Sequence, residues 1–270
     1  MIDWAKQIRR RYTDKAIQEW ERLSSTPITR IERLINTYCL ERYLPATGRI
    51  LDAGSGPGRY AIAMARQGYQ VVTFDLVAEM LHLGQSKIAE AGVSGNVAAT
   101  QGNLIALPYA DDVFDAAINL GAPLSHITDG GARLAVVGEL VRVVRPGGIV
   151  FLTGLQRLAG YRSAVYWMDE DYFDQMMTPV QRARGIYDGS QVWYNFAPDE
   201  LQNLVLDAGL QIVDCVGCQG LANHLPIDHL ERLETDPERW VVWKALLLET
   251  CNEPSIVGIS NHLLVVARKP

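Results

Sequence analysis

Three alternating glycines after the first predicted strand mark the stretch of sequence where ligand chemistry is most readily expected. Gly54, Gly56 and Gly58 directly follow a short apolar run that ends at Asp52. Alternate glycines let the backbone turn sharply and let a ligand lie against the main chain. Apolar residues with helical spacing follow, so this loop opens a helix whose N-terminal amides could bind an anionic group. The pattern predicts a ligand site at the start of that helix.

Two kinds of ligand suit such a loop: the pyrophosphate of a dinucleotide and the amino-acid end of S-adenosylmethionine. The dinucleotide fingerprint requires a third glycine at the position of Arg59, which disfavours the first ligand. Asp75 ends the second predicted strand roughly twenty residues further on, where a carboxylate can accept both ribose hydroxyls. The alternative is that Asp75 only caps the helix that follows it.

The segment from Leu51 to Gly58, LDAGSGPG, resembles the glycine motif of class I S-adenosylmethionine-dependent methyltransferases. Two later segments resemble the same family: Phe114-Asp115 at the start of a fourth strand, and the turn Arg145-Pro146-Gly147-Gly148 before a fifth strand. The resemblance covers about residues 49–153 and, more loosely, the C-terminal third. It implies an enzyme with S-adenosylmethionine as methyl donor and S-adenosylhomocysteine as product.

The resemblance also implies roles for individual residues. Asn103 stands where the family usually has an acidic residue beside the adenine amino group, and its carbonyl can still accept a hydrogen bond. The backbone near residues 119–121 would receive the methionine ammonium. His126 would lie near the methyl group as a candidate base, although such a histidine is more often a structural hydrogen-bonding residue. The cofactor-binding residues predicted in this way are Asp52, Gly54, Ser55, Gly56, Gly58, Asp75, Leu76, Asn103, Leu104, Asn119, Leu120 and Tyr12.

The segment from Leu155 to Phe196 departs from the alternation of strands and helices. An insertion at this place would lie over the cofactor end of the sheet, where aromatic walls and a few polar groups can shape an acceptor pocket. A packing subdomain or a dimer face is the alternative. Its aromatic residues are Tyr161, Tyr166, Trp167, Tyr172, Phe173, Tyr187, Trp193 and Tyr194, and its charged residues include Asp169, Glu170, Asp171, Asp174, Arg182 and Arg184.

The order of elements predicts an α/β fold: a Rossmann-like, mostly parallel sheet of seven strands with an antiparallel last strand. Amphipathic helices are expected from Asp3 to about Arg22 and from about Thr29 to Tyr43. By the resemblance they would lie over the cofactor, where Tyr12 or Trp20 could touch the ligand, although packing is the more common use of such aromatic residues. A later helix is expected from Pro198 to Ala208. The expected divisions are an N-terminal helical cap (1–44), an S-adenosylmethionine-binding core (45–154), a cap insertion (155–196) and the C-terminal part of the core sheet (197–270).

Composition narrows the class of partner. A formal charge of -6 over 270 residues argues against broad binding to nucleic-acid backbones. The basic stretch from Lys6 to Lys15 alternates with apolar residues and is predicted to be a solvated helix face. We find no signal-peptide core and no apolar run long enough for a membrane span, which favours a cytoplasmic protein. The single Cys215-x-x-Cys218 pair does not make a zinc ribbon, and idle thiols and no metal are expected.

Three hypotheses for the function follow. The first is methyl transfer to a small-molecule acceptor through a capped pocket, by a protein that could form a homodimer. The second is a catalytically idle S-adenosylmethionine-binding or interaction protein, and the third is a nicotinamide oxidoreductase. In-line transfer from a sulfonium requires positioning and exclusion of water, with a base only for some acceptors. Besides His126 and the acids of the insertion, His224 is a candidate base, and Asp228 and His229 could also face the substrate.

Overall fold

A computed structural model describes residues 3–168, 170–178, 185–188, 192–197 and 199–270. Asp169, Arg182, Arg184 and Pro198 lie outside the described residues. The helices are α1 (Trp4–Tyr12), α2 (Ala16–Ser25), α3 (Pro27–Tyr43), α4 (Arg59–Arg66), α5 (Ala78–Glu90), α6 (Gly130–Val143), α7 (Arg157–Trp167), α8 (Glu170–Met176), α9 (Glu200–Asp207), α10 (Ile227–Glu234), α11 (Pro237–Thr250) and α12 (Pro254–Val257). The strands are β1 (Arg49–Ala53), β2 (Gln70–Asp75), β3 (Val97–Gln101), β4 (Phe114–Asn119), β5 (Val144–Gln156), β6 (Ile186–Asp188), β7 (Val192–Phe196), β8 (Gln211–Gly217) and β9 (His262–Arg268).

Seven strands form the predicted sheet, in the order β3-β2-β1-β4-β5-β9-β8. Strands β1 to β5 run parallel, and β9 is antiparallel to both β5 and β8. The apolar runs of β1 and β2 are almost wholly buried, as expected for parallel strands with helices on both faces. The strand order reverses between β1 and β4, which leaves a crevice beyond their carboxyl ends. The predicted fold class is confirmed.

The segment 155–196 adds two strands that the sequence did not predict. β6 and β7 form an antiparallel hairpin. β7 also pairs in parallel with Leu155 and Gln156 at the end of β5. The hairpin therefore continues the sheet beyond the carboxyl ends of the central strands and carries Trp193 to that edge.

The sequence predicts one continuous helix from Asp3 to about Arg22, but the structure has two, because α1 ends at Tyr12 and α2 begins at Ala16. The Thr13 hydroxyl donates a 2.9 Å hydrogen bond to the carbonyl of Arg9 at the end of α1. The basic face is also only partly solvated. Arg9 and Arg10 are exposed, but the Arg11 guanidinium carbon lies 4.0 Å from the centre of the Trp193 ring.

The predicted turn at residues 145–148 lies within β5 as a bulge. Phe114 of β4 is opposite Val144, and Ala116 is opposite Ile149, so the residues between them loop out of the ladder. Gly147 has φ +78°, a conformation that favours glycine, and its N–H donates to the Lys269 carbonyl at 2.8 Å. The motif therefore follows α6 closely, as predicted, but forms a bulge within β5 instead of a turn before it.

The connection before the last helices holds α10, which the sequence did not predict. Asp228 and His229 lie on it with side chains that are 74% and 65% exposed. His224 precedes the helix and packs against the insertion instead, with its Nε2 2.9 Å from the Ser163 hydroxyl. All four cysteines are free thiols, and three of them are buried. Within the described residues, no helix has the length and apolar character needed to span a bilayer.

Candidate active site

A cavity opens at the carboxyl ends of β1, β2 and β4 and is covered by α1 and α2. Its empty space is about 1050 Å³, including open solvent at its mouth. We call it the donor cavity. It is lined by ten of the predicted cofactor-binding residues: Asp52, Gly54, Ser55, Gly56, Asp75, Leu76, Asn103, Leu104, Leu120 and Tyr12. Segments that are far apart in the chain thus meet at one site.

The other two predicted residues lie behind the wall of the donor cavity. Gly58 has φ +76° and precedes α4, where it makes the turn possible. Asn119 is fully buried, and its amide donates a 2.7 Å hydrogen bond to the Ala53 carbonyl. The backbone carbonyl of Asn119 accepts a hydrogen bond from the Thr153 hydroxyl at 2.8 Å. Both residues shape the cavity without lining it.

The amides of the glycine loop are hydrogen-bonded within the protein. The N–H groups of Gly54 and Ser55 donate to the Phe74 carbonyl, at 2.7 and 3.2 Å. The N–H of Gly56 donates to Asp75 Oδ2 at 2.8 Å, and that of Gly58 donates to the Ser55 carbonyl at 3.0 Å. The loop therefore offers a ligand close approach instead of anion-binding amides. At Gly56 an added Cβ would meet nothing within 4 Å, so this side of the loop is open.

Two aspartates line the donor cavity at the ends of β1 and β2. The Asp75 carboxylate accepts hydrogen bonds from the N–H groups of Gly56 at 2.8 Å and Val77 at 2.9 Å. It therefore closes the loop and caps α5 at once, and each of its oxygens keeps a second lone pair. Burial raises the pKa of Asp75 although these hydrogen bonds oppose the shift. Asp75 therefore caps α5, which is the alternative role that its sequence position predicts. A ribose contact through its remaining lone pairs stays a prediction.

Asp52 is the more deeply buried of the two acids. Its Oδ2 atom is buried without any hydrogen-bond partner among the described residues. Its pKa is raised to about 8, because burial and the nearby charge of Asp75 disfavour the ionised form while the N–H of Ala61 opposes the shift only in part. A cationic hydrogen-bond donor in the cavity would satisfy Oδ2 and favour ionisation.

Asn103 forms a local turn at the far end of the donor cavity. Its Oδ1 accepts a hydrogen bond from the N–H of Ile105 at 3.2 Å. This contact orients the side chain on the loop after β3, and a carbonyl oxygen can accept a second hydrogen bond. Asn103 and the neighbouring Leu104 both line the cavity.

His126 stands between the donor cavity and a second one. Its Nε2 is 3.0 Å from the Tyr12 hydroxyl, and its ring lies 4.7 Å from that of Trp193. Burial and the nearby charge of Arg11 lower the pKa of His126 to about 3. Burial also raises the pKa of Tyr12 to about 12. Both side chains are therefore neutral at physiological pH and serve as hydrogen-bonding groups.

The second cavity, which we call the acceptor cavity, has about 860 Å³ of empty space including open solvent. Its walls come from α1, α2, the ends of β4 and β5, the insertion and β9. It shares Tyr12, Glu19, Arg22, Gly121 and His126 with the donor cavity. Its other lining residues are Arg11, Ala122, Leu155, Tyr172, Met176, Trp193, Asn195 and His262.

A partly buried ionic network holds one shared residue, Arg22. Its Nε is 3.1 Å from Glu19 Oε2, and its Nη1 is 3.3 Å from Glu32 Oε1. Glu32 is 1% exposed, and its Oε1 is also 3.3 Å from His262 Nδ1. Burial opposes ionisation of Glu32, but His262 and Arg22 outweigh it and lower the pKa to about 2. The Arg22 guanidinium is thus fixed between two carboxylates.

Sequence reasoning missed most of the roof of the donor cavity. Besides Tyr12 and Trp20, which the resemblance placed near a ligand, α1 and α2 contribute Trp4, Ile8, Glu19, Arg22 and Leu23. Their helical spacing indicated an apolar face, but it did not indicate what that face covers. Arg59 of α4 was also missed, and its guanidinium lies 4.2 Å over the Trp20 ring. A cation placed one residue after the last glycine of the motif was the available signal.

Comparison with known proteins agrees with this arrangement. Residues 50–148 match the family model described as a methyltransferase domain. An uncharacterised protein of Mycobacterium tuberculosis (strain H37Rv) is 30% identical over 137 residues, which are 50% of this chain and 43% of that protein. The ubiquinone/menaquinone biosynthesis C-methyltransferase of Marinomonas sp. is 37% identical over 103 residues, 37% of this chain and 39% of that enzyme. The chain therefore spans less than half the length of these curated relatives.

A solved structure shares the fold over almost the whole chain. The 1,6-didemethyltoxoflavin-N1-methyltransferase of Burkholderia thailandensis superposes with a TM-score of 0.59 at 15% identity, covering 99% of this chain and 89% of that one. Sheet order, glycine loop and family match lead to one assignment. Residues 50–148 form a methyltransferase domain of the class I S-adenosylmethionine-dependent family.

Proposed function

We propose that this protein transfers a methyl group from S-adenosylmethionine to a small-molecule acceptor. The observation that carries the proposal is the wall shared by the two cavities, which includes Tyr12, Gly121 and His126. Two ligands seated in adjoining cavities would face each other across this wall. Methyl transfer requires such a meeting of donor and acceptor in line, with water excluded.

The donor cavity suits S-adenosylmethionine at both ends. The unpartnered Oδ2 of Asp52 would bind the ammonium of the methionine part, because this buried oxygen needs a donor and gains from a positive charge. Asp75 would accept the ribose hydroxyls with its remaining lone pairs, and Asn103 would accept the adenine amino group. Gly56 leaves room for close approach because an added Cβ there has no neighbours within 4 Å.

When bound, S-adenosylmethionine supplies an electrophilic methyl group on a sulfonium. The residues of this chain position both reactants and exclude water with the aromatic and aliphatic roof of Trp4, Ile8 and Trp20. His126, predicted as a base, would be a weak one, since a pKa of about 3 leaves it little affinity for a proton. We therefore infer that His126 orients Tyr12 and the acceptor through hydrogen bonds. A base role for His126 stays a prediction.

The similar proteins support a small acceptor. One is named as a C-methyltransferase of ubiquinone and menaquinone biosynthesis, and another as an N1-methyltransferase of 1,6-didemethyltoxoflavin with that compound bound. The acceptor cavity of this chain is enclosed by the insertion and by α1, as expected for a site that takes a small molecule.

The proposal is tested by titration calorimetry with S-adenosylmethionine and S-adenosylhomocysteine, followed by a labelled-methyl assay over a panel of metabolites. We expect both nucleosides to bind and at least one acceptor to be methylated. Binding without turnover on any acceptor would favour the idle binding protein, and binding of NAD in their place would favour an oxidoreductase.

Replacing Asp75 tests the nucleoside site directly. Asp75→Ala should weaken S-adenosylhomocysteine binding by about tenfold or more, because charge-assisted hydrogen bonds of this kind contribute roughly 1.5–3 kcal/mol. Asp207→Ala, which changes an exposed aspartate on α9, is the matched control and should bind like the wild type. If the two variants bind equally well, the ribose assignment is wrong.

A further inference from the structure

His262 lies on the floor of the acceptor cavity, and sequence reasoning did not single it out. It begins β9 and is opposite Leu155 of β5, which is opposite Asn195 of β7. Residues opposite one another in a sheet direct their side chains to the same face. All three residues line the acceptor cavity, so the sheet itself places His262 beside a bound acceptor.

Glu32 of α3 sets the tautomer of His262. Its Oε1 is 3.3 Å from Nδ1 of His262, and its side chain is 1% exposed. Burial opposes ionisation of this carboxyl group, but His262 and Arg22 lower its pKa to about 2. A carboxylate only accepts hydrogen bonds, so it favours a proton on Nδ1 over a lone pair there. The neutral ring therefore carries its free lone pair on Nε2.

Nε2 of His262 is open to the acceptor cavity. The side chain is 15% exposed, but Nδ1 is buried. No described residue is hydrogen-bonded to Nε2, and yet Nε2 is not among the buried polar atoms that lack a partner. It therefore belongs to the accessible part of the ring. Because His262 lines the acceptor cavity, a molecule bound there can reach Nε2.

Arg22 connects His262 to the wall that the two cavities share. Nη1 of Arg22 is 3.3 Å from the same Glu32 oxygen that contacts His262, and Arg22 lines both cavities. One carboxylate oxygen thus separates His262 from a residue of the shared wall. Under the proposed function, the methyl group and the acceptor meet at this wall.

We propose that His262, oriented by Glu32, accepts the proton of a hydroxyl-bearing acceptor during methyl transfer. The inference rests on the proposed function. The acceptor oxygen forms a bond to the methyl carbon, and the bond from that carbon to sulfur breaks with its electron pair left on sulfur. The hydroxyl proton moves to Nε2 of His262. The Glu32 carboxylate stabilises the resulting imidazolium, which then gives the proton to water.

The oriented histidine also indicates the class of acceptor. A free amine or a thiolate is already a nucleophile and needs no base, whereas a hydroxyl becomes a good nucleophile only as it loses its proton. The walls of the acceptor cavity include the apolar side chains of Leu155, Met176 and Trp193, which suit a ring. A phenol or an enol on a ring meets both conditions.

His126 lines the same cavity but is less suited to take a proton. Burial and the positive charge of Arg11 lower its pKa to about 3, whereas His262 lies beside a carboxylate. The other titratable or charged groups of the cavity, and those beside Glu32, also act on His262. They are Arg11, Tyr12, Glu19, Arg22 and Tyr172 in the cavity, and Tyr60 and Cys218 beside Glu32.

The first experiment reads the tautomer of His262 by proton–nitrogen correlation NMR on protein with isotopically labelled histidine. The signal lost in His262→Gln identifies the ring. We expect the neutral ring of the wild type to hold its proton on Nδ1, and Glu32→Gln to shift part of that population to Nε2. A wild-type ring with its proton on Nε2 would overturn the inference. Thermal denaturation verifies that both variants fold.

The second experiment measures 4-nitrophenol and its methyl ether 4-nitroanisole, which has no proton to give. Visible absorbance reports the phenolate, at a pH below the pKa of free 4-nitrophenol. We expect the wild type to raise the ionised fraction of bound 4-nitrophenol above that in buffer. His262→Gln should remove this increase and weaken 4-nitrophenol by about tenfold, with 4-nitroanisole unchanged.

His229→Gln is the matched control, because His229 is 65% exposed on α10 and should give wild-type results. Equal losses of the two nitro compounds in His262→Gln, or no loss of 4-nitrophenol, would show that His262 takes no proton. Both experiments are repeated with S-adenosylhomocysteine present. If that nucleoside does not bind, the proposed function fails, while the tautomer and the ionisation of 4-nitrophenol still decide the role of His262.

Discussion

The donor and acceptor cavities differ in how the chain builds them. The protein wall of the donor cavity comes mainly from loops that follow successive parallel strands, such as Asp52 to Gly56 after β1 and Asp75 after β2. The acceptor cavity draws on α1, the insertion and β9, so that Arg11, Trp193 and His262 meet from distant parts of the chain. A site of the first kind follows from the sheet topology, whereas a site of the second kind depends on how separate layers pack.

This difference matches the division of roles in the proposed function. Under that proposal, the polar groups that hold the methyl donor are supplied by the strand ends. An acceptor that varies among members can be accommodated by segments that are free to change without disturbing the sheet. The wall that contains Arg22, Gly121 and His126 is where the two parts meet.

The largest expected effect would come from Asp52→Asn on the donor side. Asparagine can still accept the hydrogen bond from Ala61, but it lacks the charge for an ammonium. We expect S-adenosylhomocysteine binding to weaken by about 100-fold, since loss of one partner of a buried charged pair costs roughly 2–5 kcal/mol. Titration calorimetry measures this, and unchanged affinity would remove Asp52 from the site.

The same variant should make the ligand-free protein more stable at alkaline pH. Because the pKa of Asp52 is raised to about 8, its contribution to stability is full below the pKa of the unfolded chain and is lost as the pH rises through about 8. Asp52→Asn removes that loss. Its melting temperature should therefore exceed that of the wild type at pH 9, and equal or lower stability there would contradict the ionisation that we assign.

Donor binding should itself depend on pH. If the ammonium binds ionised Asp52, affinity for S-adenosylhomocysteine should rise between pH 6 and about 8, by up to tenfold per pH unit, and then level off. Calorimetry in two buffers with different ionisation enthalpies should detect a proton released on binding. Asp52→Asn is the control and should show neither the slope nor the proton.

Trp193→Leu tests whether the two cavities are energetically separate. Trp193 lines the acceptor cavity but not the donor cavity, and Arg11 stacks on its ring. We expect a destabilisation of roughly 0.5–2 kcal/mol from the lost cation–π contact, with donor affinity nearly unchanged. A loss of S-adenosylhomocysteine binding as large as that of Asp52→Asn would show that the comparison between the cavities is wrong.

The smallest expected effect is that of Tyr12→Phe, which removes the hydrogen bond to His126. We expect a loss of about 1 kcal/mol in the free energy of unfolding, which denaturant titration measures.

His126 itself should not titrate in the physiological range. Proton NMR should show no titration of the His126 ring between pH 5 and 8 in the wild type, because its pKa is lowered to about 3. A His126→Asn spectrum assigns the resonance, and a midpoint near 6.5 would restore His126 as a candidate base.

Much of the fold was readable because local patterns report on local structure. The apolar runs of β1 and β2, the alternating glycines and the acid at each strand end predicted the parallel sheet and ten of the residues that line the donor cavity. Patterns that depend on distant partners were less informative. The break between α1 and α2, the hairpin of β6 and β7 and the bulge at Gly147 were missed, since each is stabilised by contacts with remote segments.

The sequence by itself determined the fold class, the family of residues 50–148 and the position of the donor cavity, because spacing along one strand–loop–helix unit sets which backbone and side chains share an edge. Only the tertiary structure decided the charge states of the side chains in the two cavities and which groups lie next to them. It showed that the glycine-loop amides are already bonded, that Asp52 is buried beside Asp75, and that Arg22 is fixed by Glu19 and Glu32. Burial and pairing depend on groups brought together from distant parts of the chain, and no local pattern encodes them.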